Sequence, residues 1–545
     1  MDSNTGIPRP NHGGSAAVMA TWAASYVNPD SRFCGSAGLL QRMECLARFI
    51  VRAQHEDGTI TLGSTNYHSP PDTGFVVVGL AQICRLLERG SHPETKTVRL
   101  LLEQFLERAV PAMLTGGGHT PNHRWVLAAA LGLLYERSGD PRLADRADCW
   151  LAEGIDMTAD GEWTERSNGI YNAVSNIMLY HAAATLHRPL LLDPVRRNLR
   201  MMTLLIHPNG DIVTEYSGRQ DFGVKNDLSA YYAISRLTAW EDNDGTFAAL
   251  ADAAAEAAQE PGSVNNHGLM TCLLYPQIGL KGILRKELPV HYEAIINEAH
   301  PADEDLQRMR NQGGPATLLH SSAHTAFGSP IVRYRDGLTS VTVMTRNSSF
   351  FALRHGDAHV LGTKLTTAFL PGIVQFEQLE QQQGYTLSST MEKGYNGPIP
   401  TEYLPAHTGK QGAYSPWYLL PHERRPMTHL QTHRLISEVK RSGKVWSIRI
   451  RSDQAEDLFT QLTFVLDSRG VLTGEGLQPG AAPGHYFLTQ GSAIYQAGDF
   501  AIRIGAGAQE HLVGVIRNDR LPENCLSLSL NWLTPFDHTV ELELL

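Results

Sequence analysis

The chain has 545 residues, with 46 Lys and Arg against 56 Asp and Glu, and a formal charge of −10 at neutral pH. With 42% hydrophobic and only 19% charged residues a mostly disordered chain is excluded, and the length exceeds one ordinary core, so two or three domains are expected. The acidic balance argues against nucleic acid or an anionic membrane as the main partner.

The opening Met1-Asp2-Ser3-Asn4-Thr5-Gly6 lacks the basic flank and apolar stretch of a secretion signal, and no run of eighteen apolar residues follows. The expectation is a cytoplasmic protein, or a periplasmic or secreted one if a leader has been removed. The six cysteines are scattered without CxxC or metal-ligand spacing, and buried free thiols are the default reading.

From about residue 36 to 298 the apolar period is helical, as in Leu39, Met43, Leu46, Ile50, then Val76, Leu80, Ile83, Leu87, then Leu127, Leu131, Leu134. Gly, Pro, Asn and Asp loops separate these segments at intervals that suggest ten to twelve helices in hairpins. Asp57-Gly58, Asp160-Gly161 and Asn209-Gly210 recur at helix ends, which a closed ring of helix pairs would explain. The pattern lapses near 299–316, through Asn311-Gln312-Gly313-Gly314-Pro315, and the period then becomes two: Val341, Val343, Thr345; Trp446, Ile448, Ile450; Leu462, Phe464, Leu466; Leu526, Leu528, Leu530. Polar residues between them predict antiparallel sheets with one packed and one wet face. The predicted fold is an α+β multidomain chain, with an N-terminal (α/α) toroid over 1–305 and a C-terminal antiparallel β-sandwich over 306–545.

Several groups of residues could carry chemistry. Asn66, Tyr67 and His68 could contact sugar hydroxyls beside Asp72, which reads as a helix cap. Asn122-His123-Arg124 open an amphipathic helix, where free backbone N–H groups and the helix dipole favour an anion. The plain alternative is that Asn122 only caps the helix and Arg124 is a solvated surface residue. In Asp160 to Asn172, Tyr171 stands at a helix start near Arg166 and beside Asn172, and nearby positive charge could make it an ionisable phenol. Tyr216 and Arg219 offer a competing phenol and cation, and spacing does not rank the two tyrosines. Arg354-His355-Gly356-Asp357-Ala358-His359 leaves room for a divalent metal near His355, Asp357 and His359, although no third ligand follows by sequence and strand-end histidines bonded to backbone are the bland reading. Tyr395, Tyr403, Tyr414 and Trp417 could stack on sugars, but packing on the sandwich is the simpler expectation.

Together these features resemble the heparinase II/III-like and alginate lyase group of polysaccharide lyases, which join a helical toroid to antiparallel sheets. Asn122-His123 resembles that group's Asn-His at a toroid helix start, and Asp160-Gly161, Glu165, Ser167 and Tyr171 resemble its DG…E.S..Y segment. His355 to His359 resembles its His-rich segment more loosely, departing in spacing and in Val360-Leu361-Gly362. The resemblance implies a lyase acting by β-elimination on an acidic oligo- or polysaccharide, leaving a 4,5-unsaturated uronate end. It implies Tyr171, His123, His355 and His359 as catalytic candidates, and Asn122, Arg124, Tyr216, Arg219, Asn172, Asn66 and His68 as substrate contacts. The metal found in some relatives is not carried over, and self-association into a homo-oligomer is left open. A glycoside hydrolase recruiting two of Asp160, Glu165, Glu215 and Asp221, or a non-catalytic glycan-binding protein, are the rival readings.

Overall fold

A computed structural model of the chain describes residues 11–63, 65–90, 92–311, 325–405, 417–453, 456–517 and 524–545. Met1 to Gly6, Gln312 to Pro315 and Tyr414 lie outside the described residues. Two compact units divide the chain, Met1–Ser340 and Val341–Leu545.

The first unit contains, among the described residues, the helices α1 His12–Val27, α2 Ala37–Arg52, α3 Pro70–Arg89, α4 Lys96–Thr115, α5 Pro121–Ser138, α6 Pro141–Leu151, α7 Tyr171–Thr185, α8 Leu192–Met202, α9 Tyr232–Asp242, α10 Gly245–Ala257, α11 Gly268–Leu274 and α12 Ala302–Asn311. Side chains of Asn11, Ser36, Ser69, Asp140, Asp244 and His267 accept first-turn backbone N–H groups and set six of the starts. Burial separates two layers. Helix α7 buries 12 of its 15 residues, whereas α6 buries only Leu143 and Ala147, so α7 is an inner helix and α6 an outer one. The inner helices pack in sequence, α1 on α3, α3 on α5, α5 on α7, α7 on α9 and α9 on α11, and α11 returns to α1. Helices α2, α4, α6, α8 and α10 pack outside them. Thr21 Oγ1 and His267 Nε2, 3.0 Å apart, tie the closing pair. The unit is thus a closed toroid of helical hairpins.

The recurrent Asp-Gly turns have a physical reason. Gly58 and Gly161 have φ of +83° and +102°, where a side chain is strained. A Cβ on Gly161 would lie 2.6 Å from the Arg197 carbonyl oxygen of α8, and one on Gly58 would overlap the Arg108 carbonyl oxygen of α4. Each turn leaves one outer helix and seats its backbone on the next.

In the second unit one sheet orders its strands 471–473, 492–497, 500–505, 536–544, 445–452, 427–442, 385–396, 378–381, all antiparallel. The other contains 351–355, 358–367, 459–467, 525–533, 485–488 and 477–479 in that order, antiparallel except for 485–488 on 525–533. The sheets face each other through Phe351 and Trp446, whose ring centroids lie 6.1 Å apart. The chain is therefore an α+β protein with an N-terminal helical toroid and a C-terminal antiparallel β-sandwich.

Three expectations are corrected. The alternation of packed and wet faces holds for 445–452 but not for 459–467 and 525–533, which are buried on both faces. Their interleaved polar residues bond across strands, as Thr463 to Ser529 at 2.8 Å and Gln461 to Asn531 at 2.8 Å, which is how buried polar groups avoid a desolvation cost. Of the six free cysteines only Cys84 is buried, and Cys34, Cys45 and Cys149 are exposed, because Cys34 lies in the turn between α1 and α2 and the other two on the outer helices α2 and α6. Tyr395, Tyr403 and Trp417 are exposed rather than packed, with Arg424 over Tyr403 and Arg425 over Trp417. No helix among the described residues is long and apolar enough to cross a membrane.

Candidate active site

Thr120, not Asn122, occupies the N-cap position of α5, without a side-chain capping bond, and Pro121 follows in the first turn, where its missing N–H costs nothing. Asn122 is buried, and its backbone N–H and side-chain amide both donate to Glu165 Oε2, at 3.1 and 2.7 Å. His123 accepts the His119 backbone N–H on Nδ1 at 3.3 Å, which leaves the ring proton on Nε2. Burial, with His119 and Arg219 nearby, pushes this imidazole down to about 3, so it is neutral over the working range of pH. Arg124 points elsewhere. It pairs with Asp156 at 2.6 Å, donates to Gly154 O at 3.1 Å, and so fastens α5 to the loop after α6. Its assignment as a substrate contact alongside Asn122 is not supported by this geometry.

The turn from Glu162 to Tyr171 is held by buried charge. Glu162 accepts the Gly328 N–H at 2.8 Å and pairs with Arg166 at 3.3 Å. Glu165 links both halves of the site, since Oε2 holds Asn122 while Oε1 pairs with Arg219. Burial pushes its carboxyl up, and Arg219 and Asn122 oppose that.

Tyr171 is the first residue of α7 and is half-buried. The Arg219 guanidinium lies 4.4 Å from its ring centroid. Burial pushes the phenol up from its ordinary value, while Arg219 and the Gln220 side chain pull the other way. Asp221, fully buried, accepts Ser167 Oγ at 2.8 Å and the Gly169 N–H at 2.8 Å, and Ser167 Oγ in turn accepts the Tyr171 N–H at 3.1 Å. Three consecutive residues, Arg219, Gln220 and Asp221, thus address the ring, the hydroxyl and the backbone turn of Tyr171.

Asn122, His123, Tyr171 and Arg219 therefore come together in the first unit, joined by Glu165. Tyr216 does not compete on equal terms. It is 1% exposed beneath the Arg166 guanidinium, and burial raises its phenol far above the ordinary value. Asn172 turns into the core, donating to Asn168 Oδ1 at 3.1 Å, so its geometry is that of a core residue. Asn66 and His68 anchor their loop, to Asp72 at 2.8 Å and Asp57 at 2.9 Å. In the second unit His355 packs edge-on against Phe500, while His359 is bonded to Gly356 O at 3.0 Å and lies 3.7 Å from Asp467. Among the described residues no three His, Cys, Asp or Glu come together to hold a metal ion, so the metal considered at His355, Asp357 and His359 has no ligand set there. The other carboxylates considered for hydrolysis are also committed: Asp160 accepts the Asn297 N–H at 2.6 Å and Glu215 pairs with His207 at 2.7 Å.

Sequence reading missed Glu165 as the link, and Gln220 and His119 altogether. The signal available was the run Arg219-Gln220-Asp221, three polar residues in one Gly-containing loop.

The fold, a helical toroid followed by an antiparallel sandwich, is shared with solved structures that include polysaccharide lyases. The chain is similar to a Paenibacillus xanthan lyase, at 10% identity and TM-score 0.50, over 98% of this chain and 53% of that one. It is similar also to the heparan sulfate lyase of Pedobacter heparinus, at 11% identity and TM-score 0.47 over 98% and 77% of the two chains. The chondroitin AC lyase of Streptomyces coelicolor A3 aligns at 12% identity and TM-score 0.41 over 98% and 74%. No protein-family model matches the sequence, and no curated protein does.

Proposed function

We propose that the protein is a glycan lyase that cleaves a uronate-containing oligo- or polysaccharide by β-elimination. The observation that carries this reading is the cluster in which Glu165 joins the amide of Asn122 to Arg219, and Arg219 covers the ring of Tyr171. The fold shared with a xanthan lyase is compatible with it, and the chemistry rests on the site.

Removing the C5 proton of a uronate develops charge beside a carboxylate, so that carboxylate must be neutralised first. Arg219 has one carboxylate partner among the described residues, Glu165, and a guanidinium has donors to spare. It is the cation for this step, with the Asn122 amide beside it. His123 is neutral and acts as a hydrogen-bond donor through Nε2, not as a charge. Tyr171 first gives its phenolic proton to solvent, against the upward push of burial and helped by Arg219 beside its ring, and the phenolate takes the C5 proton. The C5 electrons form the C4=C5 bond, the C4–O4 bond breaks, and the phenol returns the proton to O4. No step is assigned to His355 or His359.

Tyr171→Phe is the test. General acid–base catalysis is worth about 10²- to 10⁴-fold, so turnover, followed by the ultraviolet absorbance of the conjugated product, falls by that order while oligosaccharide binding remains. Undiminished turnover in the variant, or products without the unsaturated end, refutes the reading.

A further inference from the structure

The sandwich carries a projection that the proposed mechanism does not use. Strand 385–396 pairs with 378–381 only as far as Ser388, and strand 427–442 pairs with 445–452 only from Leu435 onward. From Ser389 to Asn396 and from Met427 to Arg434 each strand therefore has, among the described residues, no ladder partner but the other. A two-stranded ribbon is marginal in water on its own. Six large apolar side chains nonetheless stand in water between its ends: Tyr395 (66% exposed), Trp417 (66%), Tyr418 (79%), Leu419 (72%), Met427 (54%) and Leu430 (56%). Soluble chains scatter such residues singly, and a concentration of them marks a contact surface. An aromatic side chain buries about 150–250 Å², so the exposed portions of these six amount to roughly 800 Å², one partner's share of an interface of standard size. The Arg425 guanidinium lies 4.5 Å from the Trp417 ring centroid, and Trp, Tyr and Arg are the residues that carry most of the energy of protein interfaces.

Charge selects the partner. The chain as a whole is at −10, so two copies repel each other through most of their surface. The described residues 390–405 and 417–434 carry Lys393, Arg424, Arg425 and Arg434 against Glu392, Glu402 and Glu423, which is close to balance. A strongly acidic or basic partner meets no matching field there. A second copy brings the same mixture of signs and the same apolar groups, as a two-fold contact requires. We infer that this ribbon is the contact through which two copies of the chain form a dimer, each burying its Trp417–Leu419 segment against the other. The inference is independent of the lyase reading.

The test is the mass in solution and its dependence on concentration. Sedimentation equilibrium of the full-length chain is expected to give twice its 60.0 kDa at micromolar concentration and to move toward the monomer on dilution. Trp417→Ser combined with Tyr418→Ser and Leu419→Ser weakens the dimer about a hundredfold or more. All three side chains are exposed, so the fold is retained, which circular dichroism of both proteins at high dilution checks. Tyr418→Glu alone, which brings two like charges into one two-fold contact, weakens the dimer about tenfold. Hydrogen exchange over 390–396 and 427–434 slows as the wild-type concentration rises, and does not in the triple variant. A monomer at every concentration up to about a hundred micromolar, weaker than a standard-size interface allows, would overturn the inference. So would a dimer that both variants leave intact, or slow exchange in the ribbon that is independent of concentration, the result if the first unit of the same chain covers it. A monomer whose ribbon is protected only when a uronate oligosaccharide is added makes the ribbon a glycan surface and overturns the inference as well.

Discussion

Asp221 touches no part of the proposed substrate, yet the position of Tyr171 depends on it. Its two oxygens accept the Ser167 hydroxyl and the Gly169 N–H, both at 2.8 Å, in a fully buried setting. Asp221→Ala leaves two buried donors without acceptors, and each costs about 1–3 kcal/mol, so the turn 167–172 loses about 3 kcal/mol of local stability. Asp221→Asn costs less, about 1.5 kcal/mol, because the amide oxygen still accepts one bond and the Ser167 hydroxyl can rotate to accept from the new NH₂. Hydrogen exchange reads the difference at the backbone N–H groups of Gly169, Tyr171 and Asn172. Since about 1.4 kcal/mol is a factor of ten, exchange there accelerates roughly a hundredfold in the alanine variant and roughly tenfold in the asparagine variant. Exchange in 167–172 that stays at the wild-type rate in Asp221→Ala would show that the turn is held by something else, and the account of how Tyr171 is placed would fall with it.

Other outcomes follow from the same structure. Gly161→Ala combines a φ of +102° with a Cβ 2.6 Å from the α8 backbone, and should cost about 3 kcal/mol or more by denaturant titration of the first unit; Gly139→Ala, with open space around it, pays only the backbone term of about 1 kcal/mol. His123 and His181 are held neutral by burial with values near 3, and His267 with a value near 4. The unfolded chain binds these protons near pH 6.5 and the folded chain does not. Stability is therefore full above about pH 6.5 and falls by about 1.4 kcal/mol per unit for each histidine as pH drops toward 4. His123→Gln should flatten that slope by one histidine's share in urea titrations at stepped pH.

The toroid was legible because its helices write their period plainly and its turns reuse one dipeptide for one backbone contact. Tyr171 at a helix start was legible for the same reason. Arg124 was grouped with Asn122 although elementary geometry separates them. Successive helical residues are about 100° apart, so Asn122 and Arg124 project about 200° apart and point to different sides of α5; Asn172, one position on from Tyr171, likewise turns away from it into the core. Glu165 was recognisable as a motif position but not as a link, since its partners Asn122 and Arg219 lie 43 and 54 residues away. The strands 459–467 and 525–533 alternate like half-wet strands, but their Thr, Ser, Gln and Asn bond to one another across the ladder, and no single strand's sequence contains that pairing.

The contact between Thr21 and His267 has a consequence for synthesis. Helix α1 finds α2 and α3 soon after it is made, but the flank that meets α11 waits for about 250 further residues, which at ribosomal speed takes on the order of 10–50 s. During that interval the nascent barrel is a horseshoe with an alanine-rich seam open to water, and any sticky encounter there competes with completion of the circle.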